Sequence, residues 1–144
     1  MQMIKSERNK NNVLCYWDET LNASKTKSPL EHIEQINLVA HCRQRWPKEF
    51  NLMLHPVNES DVPVQCRVKL KKCGIRKGAS DWLILYPSNG HPYMVLELKR
   101  SRKRDSSVSQ EQTDFLLNAE YVGAFACVAY GYKAALNAIE KYFK

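Results

Sequence analysis

The sequence predicts an α/β protein, a mixed sheet covered by helices, and three observations carry that reading. Two short apolar runs rich in β-formers, 82–86 and 93–96, flank Pro-Ser-Asn-Gly-His-Pro; its Asn-Gly is the strongest short-range hairpin signal a sequence offers. A third run, 124–130, is short, apolar and preceded by Gly123, as a buried strand would be. Helix signals surround these strands: Ser28-Pro29-Leu30-Glu31 and Ser109-Gln-Glu-Gln112 both fit capping boxes, and 132–143 carries its apolar residues at helical spacing. With the ambiguous segment 62–72 read as a helix, the order is α-β-α-β-β-α-β-α, a sheet flanked by helices.

Taken in order, residues 1–28 form a polar, partly flexible N-terminal arm, and 29–144 form the domain. Residues 1–12 are Asn- and Lys-rich and expected to be loose. Residues 13–17 are a small apolar cluster able to dock on the core or on a partner, and 22–28 reads as a linker. The first helix starts with Ser28 as N-cap, runs to about Arg45 and stops before Pro47. Leu30, Ile33, Ile36 or Asn37, and Ala40 mark its buried face. Glu31 and Gln35 lie one turn apart and project together, although Glu31 also has a plain explanation as a cap.

Residues 50–56 read as a strand, followed by a polar loop. In 62–70, Val62, Val64, Cys66, Val68 and Leu70 alternate with polar residues as in a strand, whereas Asp61 before and Gly74 after suit a helix. A basic turn, 74–78, leads to Asp81. Beyond the hairpin, 101–107 is a charged loop. The helix from Ser109 faces Phe115, Leu116 and Ala119 inward, and Gln112 stands open between cap and site.

A chain of 144 residues and 16.7 kDa fits one domain with a sizeable core. Apolar (44%) and charged (26%) fractions exclude a disordered chain. No apolar run approaches the ~20 residues that span a bilayer, and the N-terminus lacks a signal-peptide core. No membrane partner and a cytoplasmic address are expected. Five scattered cysteines without Cys-x-x-Cys, and four histidines without zinc spacing, point to reduced packing thiols, Cys66 and Cys73 included. The formal charge of +7 is clustered at Arg67, Lys69, Lys71, Lys72, Arg76 and Lys77, and again at Lys99, Arg100, Arg102, Lys103 and Arg104. Such runs are ordinarily solvated surface. These two flank one acidic pair, which favours a polyanion, nucleic acid first.

That pair follows from the hairpin. Folding back at Asn89 pairs residues whose numbers sum to 178 and sets Asp81 opposite Glu97. Opposed Cβ atoms lie about 4.5–5.5 Å apart, so one acid takes up a proton or a cation sits between them. Lys99 shares the face of Glu97 while Leu98 points away. Two acids and an ammonium so placed suit a divalent metal on a phosphate.

Asp81 followed by Glu97-Leu98-Lys99 matches the signature of the PD-(D/E)XK nuclease superfamily. A wider frame is more specific: Glu31…Gln35, His55-Pro-Val-Asn58-Glu59, Lys71…Gly74-Ile-Arg-Lys-Gly78-Ala-Ser-Asp81, Glu97-Leu-Lys-Arg100, Ser109-Gln-Glu-Gln112, then Gly131 and a last helix ending Tyr-Phe. Over about residues 30–143 it resembles the VRR-NUC (virus-type replication-repair nuclease) family. The resemblance implies a restriction-endonuclease-like fold and a helix over 62–72. It implies Asp81, Glu97 and Glu31 as ligands of Mg²⁺ or Mn²⁺, with Glu34 the substitute helix acid, and Lys99 orienting water or stabilising the transition state. Gln112 and Gln35 would border the site with Asn58 in support, and Arg67, Lys71, Lys72, Arg76, Lys77 and Arg100 would face DNA. His55 reads as a rim residue, since hard-oxygen chemistry needs no imidazole. Ser80 stands where the family has Pro, and Glu59 where it has Gly.

The implied activity is a metal-dependent DNA endonuclease, selective for branched DNA like a Holliday-junction resolvase. It would act as a homodimer without a small-molecule cofactor, in a bacterial or phage-infected cell. Two rivals stand beside it: a non-catalytic DNA-binding module, and a sequence-specific restriction-type endonuclease.

Overall fold

The computed structural model describes residues 3–57 and 62–144. Asn58, Glu59 and Asp61, with the expectations placed on them, lie outside the described residues. The strands are β1 (Ile4–Arg8), β2 (Leu14–Asp18), β3 (Met53–Leu54), β4 (Trp82–Ile84), β5 (Met94–Lys99) and β6 (Phe125–Tyr130). The helices are α1 (Glu19–Asn22), α2 (Glu31–Arg45), α3 (Val64–Lys72), α4 (Gln110–Tyr121) and α5 (Tyr132–Phe143). One six-stranded mixed sheet, in the order β1-β2-β6-β5-β4-β3, organises them.

The β4–β5 pairs, Trp82 with Leu96 through Ile84 with Met94, keep the predicted sum of 178. Asn89 (φ 51°) and Gly90 (φ 84°) make a turn with two left-handed residues, the type I′ geometry that matches strand twist. At the turn, however, Ser88 bridges His91, a pair that sums to one more. The first arm therefore holds one extra residue. Pro87 and Pro92 lack the N–H groups a continuous ladder needs, and the slip falls between them and the strands without reaching the site.

β5 is central. It pairs antiparallel with β4 and parallel with β6, the latter reached through α4 as crossover. Leu96 and Leu98 pack with Leu38 and Cys42 of α2 and Ile139 and Tyr142 of α5, whereas Val95 packs on the other face with Leu116 and Ala119 of α4. Each fully buried leucine contributes roughly 1.5–3 kcal/mol. Covered on both faces, β5 is buried at all six positions, so Glu97 and Lys99 are drawn out of water by the same packing that forms the core.

Several expectations are corrected. Far from a loose arm, residues 4–18 supply two strands: β1 pairs antiparallel with β2, and β2 joins β6 in parallel through Leu14–Trp17. The apolar cluster 13–17 lets the polar β1 ride on the edge. Helix α2 buries Glu34, Leu38 and Cys42, one i, i+4, i+8 stripe, while Leu30, Ile33 and Ile36 are exposed. Ser28 does not cap α2, because its N–H and hydroxyl both donate to Asp105. The strand expected over 50–56 shrinks to two residues after a 3-10 turn. The ambiguous segment is helical but buries no residue, so its alternating valines answer to no sheet. Cys66 and Cys73 are exposed rather than packing.

Candidate active site

The site gathers at the open end of the β4–β5 hairpin. Asp81 directly precedes β4, and its Oδ2 accepts from the Leu98 N–H at 2.9 Å, which fixes the carboxylate across the strand gap. His55 Nδ1 contacts the Asp81 carbonyl, so the imidazole serves the backbone at the rim, in line with its sequence reading. Glu97 is 1% exposed. Its Oε1 accepts from Gln112 Nε2 at 2.7 Å, while Oε2 has no hydrogen-bond partner among the described residues.

Gln112 does both jobs that the sequence left open. Its Oε1 accepts from the Ser109 N–H at 2.9 Å, and Ser109 Oγ accepts from the Gln112 N–H at 3.1 Å, completing the capping box. A cap needs only the carbonyl oxygen of the amide; the NH₂ remains for Glu97.

Lys99 follows two residues after Glu97 on the same face. Its Nζ lies 3.7 Å from Glu97 Oε1 and 3.8 Å from Glu31 Oε1. Glu31 reaches this position because Leu30, which offers no side-chain cap, is the N-cap of α2, leaving the Glu31 carboxylate uncommitted to the helix end. Glu34 lies in the same first turn but turns inward. It is buried, its Oε2 has no hydrogen-bond partner among the described residues, and burial raises its carboxyl while the backbone of Tyr132 at the start of α5 opposes this. A Cβ on Gly131 would lie 2.9 Å from Glu34 Oε2 and 2.8 Å from the Ser101 Cβ. Of the two helix acids, Glu31 therefore faces Lys99, and Glu34 locks α2 to α5. Gln35, one turn beyond Glu31, is half-buried with Nε2 unpartnered among the described residues.

The electrostatics follow from burial. Desolvation, reinforced by the nearby charge of Asp81, pushes the Glu97 carboxyl up to about 10, and Lys99 only partly opposes this. Glu31 is raised more mildly, by burial first, with Lys99 pulling the other way. Burial and the Asp81 charge thus favour the protonated form of Glu97. The donors are all hard oxygens, and one buried oxygen lacks a partner, which fits a divalent cation of the Mg²⁺ type. No group of three or more His, Cys, Asp or Glu is drawn together tightly enough to form a ready metal cage among the described residues. Lys99 stands between Glu31 and Glu97 instead.

The two basic clusters diverge. Arg100 donates to the carbonyls of Pro29 and Ser28, Arg102 to those of Ser24 and Lys25, and Arg104 to that of Ser24. Arg102 also forks onto Asp105, at 2.9 and 2.7 Å, and the Lys103 ammonium lies 3.4 Å from the centre of the Trp17 ring. This cluster staples the 22–29 segment to the sheet and so places α2. Nothing local in the sequence signals it, because the partners are more than 70 residues apart. The first cluster stays outside: Lys71 and Lys72 sit exposed on α3, Arg67 Nε donates to the Val62 carbonyl at 3.3 Å, Arg76 is exposed, and Lys77 pairs with Glu111 at 3.3 Å.

No family model matches the chain, and no curated protein matches it. Among solved structures, a VRR_NUC domain protein superposes with a TM-score of 0.67 at 20% identity, over 81% of this chain and 89% of that one. The chain therefore has the fold of a VRR-NUC domain, a mixed six-stranded sheet flanked by helices. Among the described residues, no helix is long and apolar enough to cross a membrane.

Proposed function

We propose that the protein is a VRR-NUC-type endonuclease that hydrolyses DNA phosphodiester bonds with Mg²⁺ or Mn²⁺, selective for branched DNA. The observation that carries this reading is Glu97. A carboxyl buried to 1% exposure beside a second acid, with one oxygen unpartnered, is costly to the fold and makes sense when a cation completes it. Asp81 and Glu97 would hold the ion, with Glu31 nearby; few protein ligands suffice, because Mg²⁺ retains several waters. When bound, the ion supplies Lewis-acid charge to the phosphate and lowers the pKa of the attacking water.

The chain's own residues do the rest. Gln112 fixes the Glu97 rotamer, and the Leu98 N–H fixes Asp81. Lys99, held between Glu31 and Glu97, has an ammonium to move from the acids onto the phosphate oxygens as negative charge grows there. Exposed α3 and the 76–77 turn bring positive charge to the DNA backbone. An exposed apolar stripe at Leu30, Ile33 and Ile36 supports a homodimer, which symmetric cutting of two strands requires. Repair or recombination in a bacterial or phage-infected cell is the setting that such an activity suits.

A second reading, a non-catalytic DNA-binding module, draws support from the absence of a ready three-ligand cluster among the described residues. The test is cleavage of a labelled four-way junction with Mg²⁺, beside linear, flapped and splayed DNA, by wild type and Asp81→Ala. The nuclease reading expects cutting of branched substrates and a loss of at least about a hundredfold in the variant. Equal DNA binding with no metal-dependent cutting by the wild type would leave the module. Cutting of plain duplex at defined sequences would favour a restriction-type enzyme.

A further inference from the structure

A cavity of about 490 Å³ opens between the basic turn and the outer flank of α4. Arg76 and Lys77 line one side, Asp114 and Asn118 the other, and Tyr93 and Phe115 add aromatic surface. The turn touches α4 at Gly78, where a Cβ would fall 2.7 Å from the Glu111 backbone. Glu111 directly precedes Gln112, the residue that holds Glu97, and Asp81 comes three residues after Gly78. The cavity and the acid pair thus share the 76–81 segment and the first turn of α4.

The charges around it are unevenly engaged. Glu111 is paired with Lys77, and Asp114 accepts from Gln110 Nε2 at 2.8 Å. Arg76 is exposed; its carbonyl accepts from the Ala79 N–H, but its guanidinium makes no hydrogen bond or ion pair among the described residues. A guanidinium without a partner among the described residues therefore borders an open depression whose lining includes two aromatic rings.

We propose that this cavity is a subsite for one unpaired nucleotide of the DNA substrate, its base against Tyr93 and Phe115 and the adjoining phosphate on Arg76. The inference rests on the nuclease reading and deepens it. The volume falls in the range of small-ligand sites and is too small for a duplex. Aromatic walls stack any base, so the subsite reads the absence of pairing rather than the sequence. Asp114 and Asn118 offer an acceptor and a donor to the edge of the base. A base inside an intact helix cannot enter without being unstacked, so bulges, flaps and branch points are favoured over plain duplex.

The test uses the full chain in EDTA, which separates binding from cutting. The probes are a duplex with a single bulged 2-aminopurine and its fully paired counterpart. The expected result is an affinity about tenfold higher for the bulged duplex, with a change in 2-aminopurine fluorescence on binding. Tyr93→Leu should abolish most of that preference. Asn118→Met, which fills the cavity from an exposed position with a side chain that cannot stack a base, should also abolish it, with the melting temperature unchanged.

Equal affinity of the wild type for both duplexes overturns the proposal, and so does a preference that survives Asn118→Met. Failure to bind either duplex would instead bring down the nuclease reading, and the subsite with it.

Discussion

Replacing Glu97 with glutamine should stabilise the protein at alkaline pH, and the structure sets the size of the gain. Burial and Asp81 push the Glu97 carboxyl up to about 10 from 4.5, outweighing the pull of Lys99. Between those two values the folded chain holds a proton that the unfolded chain has released, so stability falls as pH rises. One proton corresponds to about 1.4 kcal/mol per pH unit, hence between about 2 and 3 kcal/mol from pH 6 to 8. For a chain of this size that is roughly 5–11 °C in melting temperature. Glu97→Gln keeps an amide oxygen for Gln112 and removes the titration. Glu34, also raised, remains in both proteins and cancels in the comparison, whereas the Glu31 charge that helps raise Glu97 loses that neighbour in the variant.

The assay is thermal unfolding of wild type and variant from pH 5 to 8.5, with and without Mg²⁺. The melting temperature of the variant should exceed that of the wild type by an amount that widens with pH. Mg²⁺ should raise the wild type at pH 8, by taking the place of the proton, and leave the variant unmoved. Parallel curves, or a variant that melts below the wild type throughout, would refute the argument that Glu97 is held neutral by its surroundings.

Gly131 has φ 87° and ψ 155°, a region essentially closed to other residues, and a Cβ there meets Ser101 and Glu34. Gly131→Ala should cost roughly 2–5 kcal/mol in a denaturant titration; Gly90→Ala, with nothing within 4 Å, should show only the smaller backbone part. Gln112→Ala and Ser109→Ala should each lose about 1 kcal/mol of helix capping, but cleavage should fall at least about tenfold in Gln112→Ala alone, as single-turnover rates would show. Lys72→Ala with Arg76→Ala should lower the slope of log affinity against log salt by about 2, with no change in melting temperature. If neither α3 nor the 76–77 turn faces DNA, the slope will stay as it is.

The sequence by itself determined what depends on near neighbours. Asn89-Gly90 marked the turn and alternation set which side chains share a face, so Lys99 was legible beside Glu97; the register that sets Asp81 across from Glu97 also needs the extra residue of the first arm, which the two-residue turn does not supply. The capping box at Ser109, the buried run of β6 and the closing helix α5 were legible for the same reason: each pattern is complete within a dozen residues. Tertiary structure decided whatever needs a partner far along the chain. Whether Ser28 caps α2 depends on Asp105, and that choice leaves Glu31 uncommitted beside Lys99. Which helix acid turns inward depends on the start of α5, where Gly131 lies close enough to the Glu34 carboxylate that a Cβ would meet it. The N-terminal residues read as a loose arm because a polar edge strand such as β1 has no apolar alternation of its own to show. Only the neighbouring strands, which supply its hydrogen bonds, make it part of the sheet.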